Sequence, residues 1–163
     1  MSVVTEHLQR RGIPFEVVTH GRAVTSLAEA LALGVQADEV VKTVVLDTGE
    51  GHVLAVVPAS RRLDMRRVHL ATGDTHARLA SEEEVAADFP DMELGALPPL
   101  GSLLGAPLLV DPEVMAHDTV LVAAGTQTES VRARVDDLLK DEDVRVVPIS
   151  RHPEEEAHLR AEP

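Results

Sequence analysis

The stretch Val40-Val41-Lys42-Thr43-Val44-Val45-Leu46-Asp47 decides the fold. It is dense in β-branched residues, which suit a pleated backbone, so it is expected as a strand. Gly49-Glu50-Gly51 then turns the chain back into His52-Val53-Leu54-Ala55-Val56-Val57, and the two runs form a hairpin. On the N-terminal side, a helix is expected from Ser2 to Arg11, stopped by Gly12, followed by a strand from Phe15 to Thr19. Ser26-Leu27-Ala28-Glu29 has the spacing of a capping box and opens a helix that stops at Gly34. On the C-terminal side, a helix over Leu63 to Ala71 takes Asp64 as its N-cap, a strand covers Thr75 to Leu79, and Ser81-Glu82-Glu83-Glu84 opens a further helix. Asp91 to Pro107 is rich in Gly and Pro and is expected as an ordered loop. Strands follow at Leu108–Val110, Thr119–Ala123, Ser130–Val135 and Val144–Val147, with a helical turn over Asp136–Lys140. Hairpins mixed with helices imply an α+β fold with a mixed sheet. One domain is expected over residues 1–150, with a polar, frayed or loosely helical tail over 151–163.

The whole chain has 163 residues and a formal net charge of -13, from 28 acidic and 15 basic side chains. That balance excludes broad coating of nucleic acid, which needs Lys and Arg against phosphates. With two Phe and no Trp or Tyr, a platform for stacking single-stranded bases is excluded too. The lack of cysteine removes disulfides, thiolate metal ligands and thiol nucleophiles. No apolar run approaches the ~18–20 residues of a membrane span, and the N-terminus lacks the basic and apolar regions of a signal peptide, so a cytoplasmic protein is expected.

Lys42 is the first candidate for chemistry. Side chains alternate along a strand, so Lys42 shares its face with Val40, Val44 and Leu46. A lysine there either snorkels to water, guards a sheet edge, or is held for use. It is also one of only two lysines, the other being Lys140. The loop Gly95-Ala96-Leu97-Pro98-Pro99-Leu100-Gly101 either connects elements or offers backbone donors to a carbonyl or oxyanion. Gly125-Thr126-Gln127-Thr128 is either a hairpin turn or a small polar ligand contact. Arg61, Arg62, Arg66 and Arg67 concentrate positive charge, as a solvated helix face or as a phosphate contact. The eight histidines show no zinc-protease spacing, and Glu154 to His158 lies in the tail, so no metal or other cofactor is expected. No Gly-x-Ser-x-Gly elbow is present, and no Cys, His or carboxylate dyad stands out as a base.

Three blocks in order give the chain a family resemblance. Val40-Val41-Lys42-Thr43-Val44-Val45-Leu46 resembles the V-x-K-T-L strand of the YbaK family, which includes free-standing relatives of the editing domain of prolyl-tRNA synthetase. Gly95 to Gly101 is similar to that family's G-x-x-x-P loop, and Val122-Ala123-Ala124-Gly125 to its closing strand. The resemblance runs from about residue 5 to residue 140. It implies a curved, partly barrel-like mixed sheet flanked by short helices. It also implies hydrolysis, in trans and without metal, of the ester between a wrong amino acid and a transfer RNA. The implied partners are the acceptor end of a mischarged tRNA and an aminoacyl-tRNA synthetase, with no membrane and no DNA. The alternative is a non-catalytic module of the same fold that binds tRNA or a synthetase.

The resemblance further implies catalytic roles for Lys42 and Gly101, and a substrate pocket formed by Gly95, Ala96, Leu97, Pro98, Pro99, His20, Ala123, Gly125, Thr126 and Ser130. Arg61, Arg62, Arg66 and Arg67 would meet the tRNA. In the family the ribose hydroxyl of the substrate is thought to assist the reaction. The sequence departs from its relatives after Gly125, where Thr126-Gln127-Thr128-Glu129 replaces a basic residue and glycine, and at Ser130, where some relatives carry an acid.

Overall fold

The structure is a computed structural model and describes residues 2–154. The expected tail beyond Glu154, including the Glu154–His158 spacing, lies outside the described residues. Ser2 caps helix α1 (Val3–Arg10) by accepting a hydrogen bond from the Thr5 N–H. Strand β1 (Glu16–Thr19) and helix α2 (Ser26–Leu33) follow. The hairpin forms as expected, with β2 (Val40–Thr48) antiparallel to β3 (Gly51–Pro58) from Val41 opposite Pro58 to Thr48 opposite Gly51. Next come β4 (Arg62–Leu63), α3 (Met65–Thr72) with Asp64 as its N-cap, β5 (Arg78–Leu79) and α4 (Glu82–Asp88). Ser81 and Glu84 complete the second capping box. The expected loop contains one turn of helix, α5 (Gly101–Leu104). The remaining elements are β6 (Leu108–Val110), α6 (Pro112–Met115), β7 (Thr119–Ala123), β8 (Glu129–Arg134), α7 (Val135–Leu139), β9 (Val144–Val146) and β10 (Ser150–Arg151). The boundary expected at residue 151 therefore falls inside β10, which pairs with β4.

The main sheet has the order β1-β8-β7-β2-β3-β6-β9, with β5 added beside β2. β7 is parallel to β2, and β6 is parallel to both β3 and β9, while the other pairs are antiparallel. The sheet is thus mixed, as the element order implied. Its hydrogen-bonded path ends at β1 and β9.

Both faces are covered. Val41 and Val45 point into the largest apolar cluster, with Val4 and Leu8 of α1, Leu97 and Leu100 of the loop, and Val120 and Val122 of β7. On the other face, Val40 packs with Ala30, Ala59 and Leu121. Leu46 and Val44 pack there with Val57, Val68 and Ile149. Lys42 lies on this second face, between those two apolar clusters.

Asp111, just after β6, ties the main sheet to β10, which pairs with β4 in a separate two-stranded sheet. Its side chain caps α6 through the Glu113 N–H and accepts from the Ile149 N–H, the Ser150 N–H and the Ser150 hydroxyl at 3.0, 2.9 and 2.8 Å. The residue is 3% exposed, so losing it strands three buried donors. Asp111→Ala is expected to lower the unfolding free energy by about 3 kcal/mol, measured as a fall in urea midpoint at constant m.

Candidate active site

A break in strand pairing makes the site. On the edge of β2 away from β3, β7 pairs with Val40 and Val41, and β5 pairs with Leu46 and Asp47. Between them, residues 42–45 have no strand beside them. The cleft at this gap has a volume of about 610 Å³, within the usual range for small-molecule sites. Val41, Lys42, Thr43 and Val44 form its floor. The walls come from the start of α2 (Val24 to Leu27 and Glu29), the turn Ala59–Arg62, Gly95 and Leu97 of the loop, and Ala123 at the end of β7. A recess of about 170 Å³ near Phe89 and Met92 contains none of the expected site residues.

Lys42 is half-buried, and among the described residues no carboxylate pairs with it. Its pKa is lowered, first by burial and then by the Arg62 guanidinium nearby. The alternation argument therefore agrees with the structure in placing this cation on an apolar face, with its side chain partly withdrawn from water.

The loop is held by close backbone packing. Gly95 has φ +76°, and a Cβ there would lie 1.7 Å from the Val24 carbonyl oxygen. Only glycine fits, because both the conformation and the space forbid a side chain. Gly125 donates its N–H to the Ala96 carbonyl at 2.9 Å, while its carbonyl accepts from Glu93 N–H at 2.9 Å. Gln127 Nε2 donates to the Leu94 carbonyl at 2.9 Å. The turn after β7 and the Gly95–Gly101 loop are therefore joined to each other, and the Gly125 N–H is already used.

The expected site residues do not all meet in the cleft. Lys42, Gly95, Leu97, Ala123, Arg61 and Arg62 line the cleft. Ala96, Pro98, Pro99 and Gly101 are buried behind it; a Cβ on Gly101 would lie 2.0 Å from the Ala106 carbonyl oxygen, inside the packing of α5. Thr126 keeps a buried hydroxyl without a partner among the described residues. Arg61 donates through Nε to the Ser150 hydroxyl at 2.8 Å, and Arg67 stands 3.8 Å from Asp64. Arg66 is exposed on α3, outside the cleft.

One group escaped the sequence reading. The expected capping box at Ser26 does not form, because Thr25 is the N-cap and its hydroxyl accepts from the Ala28 N–H. Glu29 is thereby free to turn inward. It is 5% exposed, its Oε2 accepts from the Ser130 hydroxyl at 2.6 Å, and Ser130 Oγ is 2.9 Å from His20 Nε2. Burial raises the Glu29 pKa, while the Ser130 hydrogen bond and the nearby His20 lower it. His20 and Ser130 were expected near the substrate, but Glu29 connects them to the cleft wall. No local pattern could have marked it, since its partner is 101 residues away.

Residues 20–140 match the family model of the aminoacyl-tRNA editing domain. The chain is 30% identical over 138 residues to the multifunctional Ser/Thr-tRNA deacylase ProXp-y of Escherichia coli, covering 82% of each protein. It is 31% identical over 81 residues to the proline–tRNA ligase of Thermosipho africanus, half of this chain but only 14% of the ligase. A solved structure described as a candidate trans-editing enzyme for prolyl tRNA synthetase aligns with TM-score 0.79 and 27% identity, covering 91% of this chain and 94% of that one. A solved hypothetical protein at 24% identity shares the fold, with TM-score 0.81 over 91% of this chain and 99% of its own.

Proposed function

This chain belongs to the aminoacyl-tRNA editing domain family, and on that premise we propose that it is a trans-acting deacylase that hydrolyses the ester of mischarged tRNA. The observation that carries this reading at the site is Lys42, a partly buried cation without a carboxylate partner, on the floor of a cleft opened by the gap beside β2. An unpaired cation in poorly hydrated surroundings attracts an anion, and the terminal phosphate of the acceptor end supplies one. Arg62 lies close enough to lower the Lys42 pKa, so the two cations would share that charge. The apolar wall residues Val24, Leu27 and Leu97, with Val44 of the floor, would take the amino-acid side chain. The fit is small and local, which accommodates an acidic protein on a polyanion.

A synthetase pocket discriminates poorly between amino acids that differ by a methylene or hydroxyl, so a second site that destroys the error raises fidelity. The test is a panel of tRNAs charged with wrong amino acids, including serine and threonine, for which the Escherichia coli relative is named. We expect at least one ester to be cleaved well above its spontaneous rate. Binding of tRNA with no cleavage of any member would identify a non-catalytic tRNA-binding module instead. Cleavage of free aminoacyl nucleotides as fast as full tRNA would show that recognition ends at the acceptor terminus.

A further inference from the structure

The Glu29–Ser130–His20 chain can be followed proton by proton. His20 Nδ1 lies 2.7 Å from the Gly21 carbonyl oxygen, which only accepts, so Nδ1 carries a hydrogen. Ser130 has one hydroxyl hydrogen to share between His20 Nε2 and Glu29 Oε2. Two arrangements satisfy every contact. In one, His20 is an imidazolium that donates to Ser130, and Ser130 donates to the Glu29 carboxylate. In the other, Glu29 is a carboxylic acid that donates to Ser130, and Ser130 donates to neutral His20. Both hold the same number of protons and the same net charge. The chain therefore lets the carboxyl on the cleft wall alternate between base and acid without an exchange with bulk water.

We propose that Glu29 is the general base of ester hydrolysis, with Ser130 and His20 as its positioning residues; this rests on the deacylase reading above. Among the described residues, Glu29 is the only carboxyl or imidazole lining the cleft. The other charged groups facing the same space are Lys42 from β2 and Arg61 and Arg62 from the turn after β3. The step balances. Glu29 takes a proton from water as the water oxygen bonds to the ester carbonyl carbon. The resulting tetrahedral oxyanion collapses, the bond from carbon to the ribose oxygen breaks, and that oxygen receives the proton back from Glu29. The products are the free amino acid and an uncharged tRNA end. With Arg62 sharing the terminal phosphate, Lys42 in the same cleft also offsets part of the negative charge of the intermediate.

The test is single-turnover hydrolysis of a mischarged tRNA that the wild type cleaves, followed across pH. Glu29→Gln keeps the side-chain size and can still accept from Ser130. It is expected to slow cleavage about 100-fold, with tRNA affinity within about twofold, and to abolish the fall in rate toward acid pH. Formate added to Glu29→Ala is expected to restore part of the rate. Ser130→Ala removes a hydrogen bond that lowers the Glu29 pKa, so the acid fall should move to higher pH. A Glu29→Gln rate equal to wild type, with the acid fall unchanged, overturns the inference and leaves the deacylase reading standing. A wild type that cleaves no member of the panel overturns both.

Discussion

Replacing Lys42 with alanine is expected to slow ester hydrolysis about 1,000-fold, the upper range for removing one preorganised charge from a transition state. The same change should not destabilise the protein. Burial lowers the Lys42 pKa from its ordinary 10.5, so the charged form is disfavoured by folding. The sign follows from linkage. The folded state binds this proton less tightly than the unfolded chain, so the stability penalty is present at neutral pH and is relieved as pH rises from the lowered folded value to 10.5. Lys42→Met, which fills the space with an apolar chain between the Val40 and Leu46 clusters, should therefore raise the melting temperature at pH 7. Its advantage should shrink as pH rises toward 10.5 and level off above it. Melting curves and single-turnover rates on the same preparations check both halves. A large fall in melting temperature would make Lys42 a structural residue and remove the main support for its place at the reaction.

Gly95→Ala is expected to have the largest structural effect of a methyl added at any glycine of this protein. The new Cβ would stand 1.7 Å from the Val24 carbonyl oxygen, a backbone atom that cannot rotate away. The residue also sits at φ +76°, where a side chain adds strain. Overpacking and strain together cost on the order of 3 kcal/mol or more, or roughly 10 °C in melting temperature for a chain of this length. Activity should fall even in the fraction that folds, because Val24 and Thr25 form one wall of the cleft and would be pushed aside. Gly105→Ala is the control: its φ is also positive at +74°, but nothing lies within 4 Å of the added Cβ. The difference between the two variants isolates the close approach from the backbone conformation.

The parts of this fold that local patterns control were legible in the sequence. The β2–β3 hairpin, the Ser81 capping box and the Asp64 cap depend on neighbours a few residues apart, and each formed as expected. Lys42 was legible because two-residue alternation placed it on an apolar face. The first capping box was misread because Ser26 and Glu29 have the right spacing, yet the helix is capped one residue earlier: the Thr25 hydroxyl takes the Ala28 N–H, and the Thr25 carbonyl takes the Glu29 N–H that Ser26 would have needed. That local misreading hid Glu29, whose hydrogen bond to Ser130 depends on α2 packing beside β8. The short helix α5 was lost for a similar reason, since Gly101 and Gly105 suggest a loop while Leu100 and Leu103 pack inward as a helical turn. Of the Gly95–Gly101 loop, Gly95 and Leu97 line the cleft, while the other five residues are buried in packing behind it.

The unpaired stretch of β2 separates two jobs within one site. The strand that carries Lys42 is fixed on its other edge by eight register pairs with β3, so it is a stiff frame. The walls come from a helix start, a turn and a loop that contribute nothing to that ladder. Side chains on those walls other than Glu29 and Gly95 can be exchanged to fit a different amino acid while Lys42 stays where it is. A gap in a sheet thus gives this architecture an interchangeable specificity module, which suits proteins that must each remove a different error with the same chemistry.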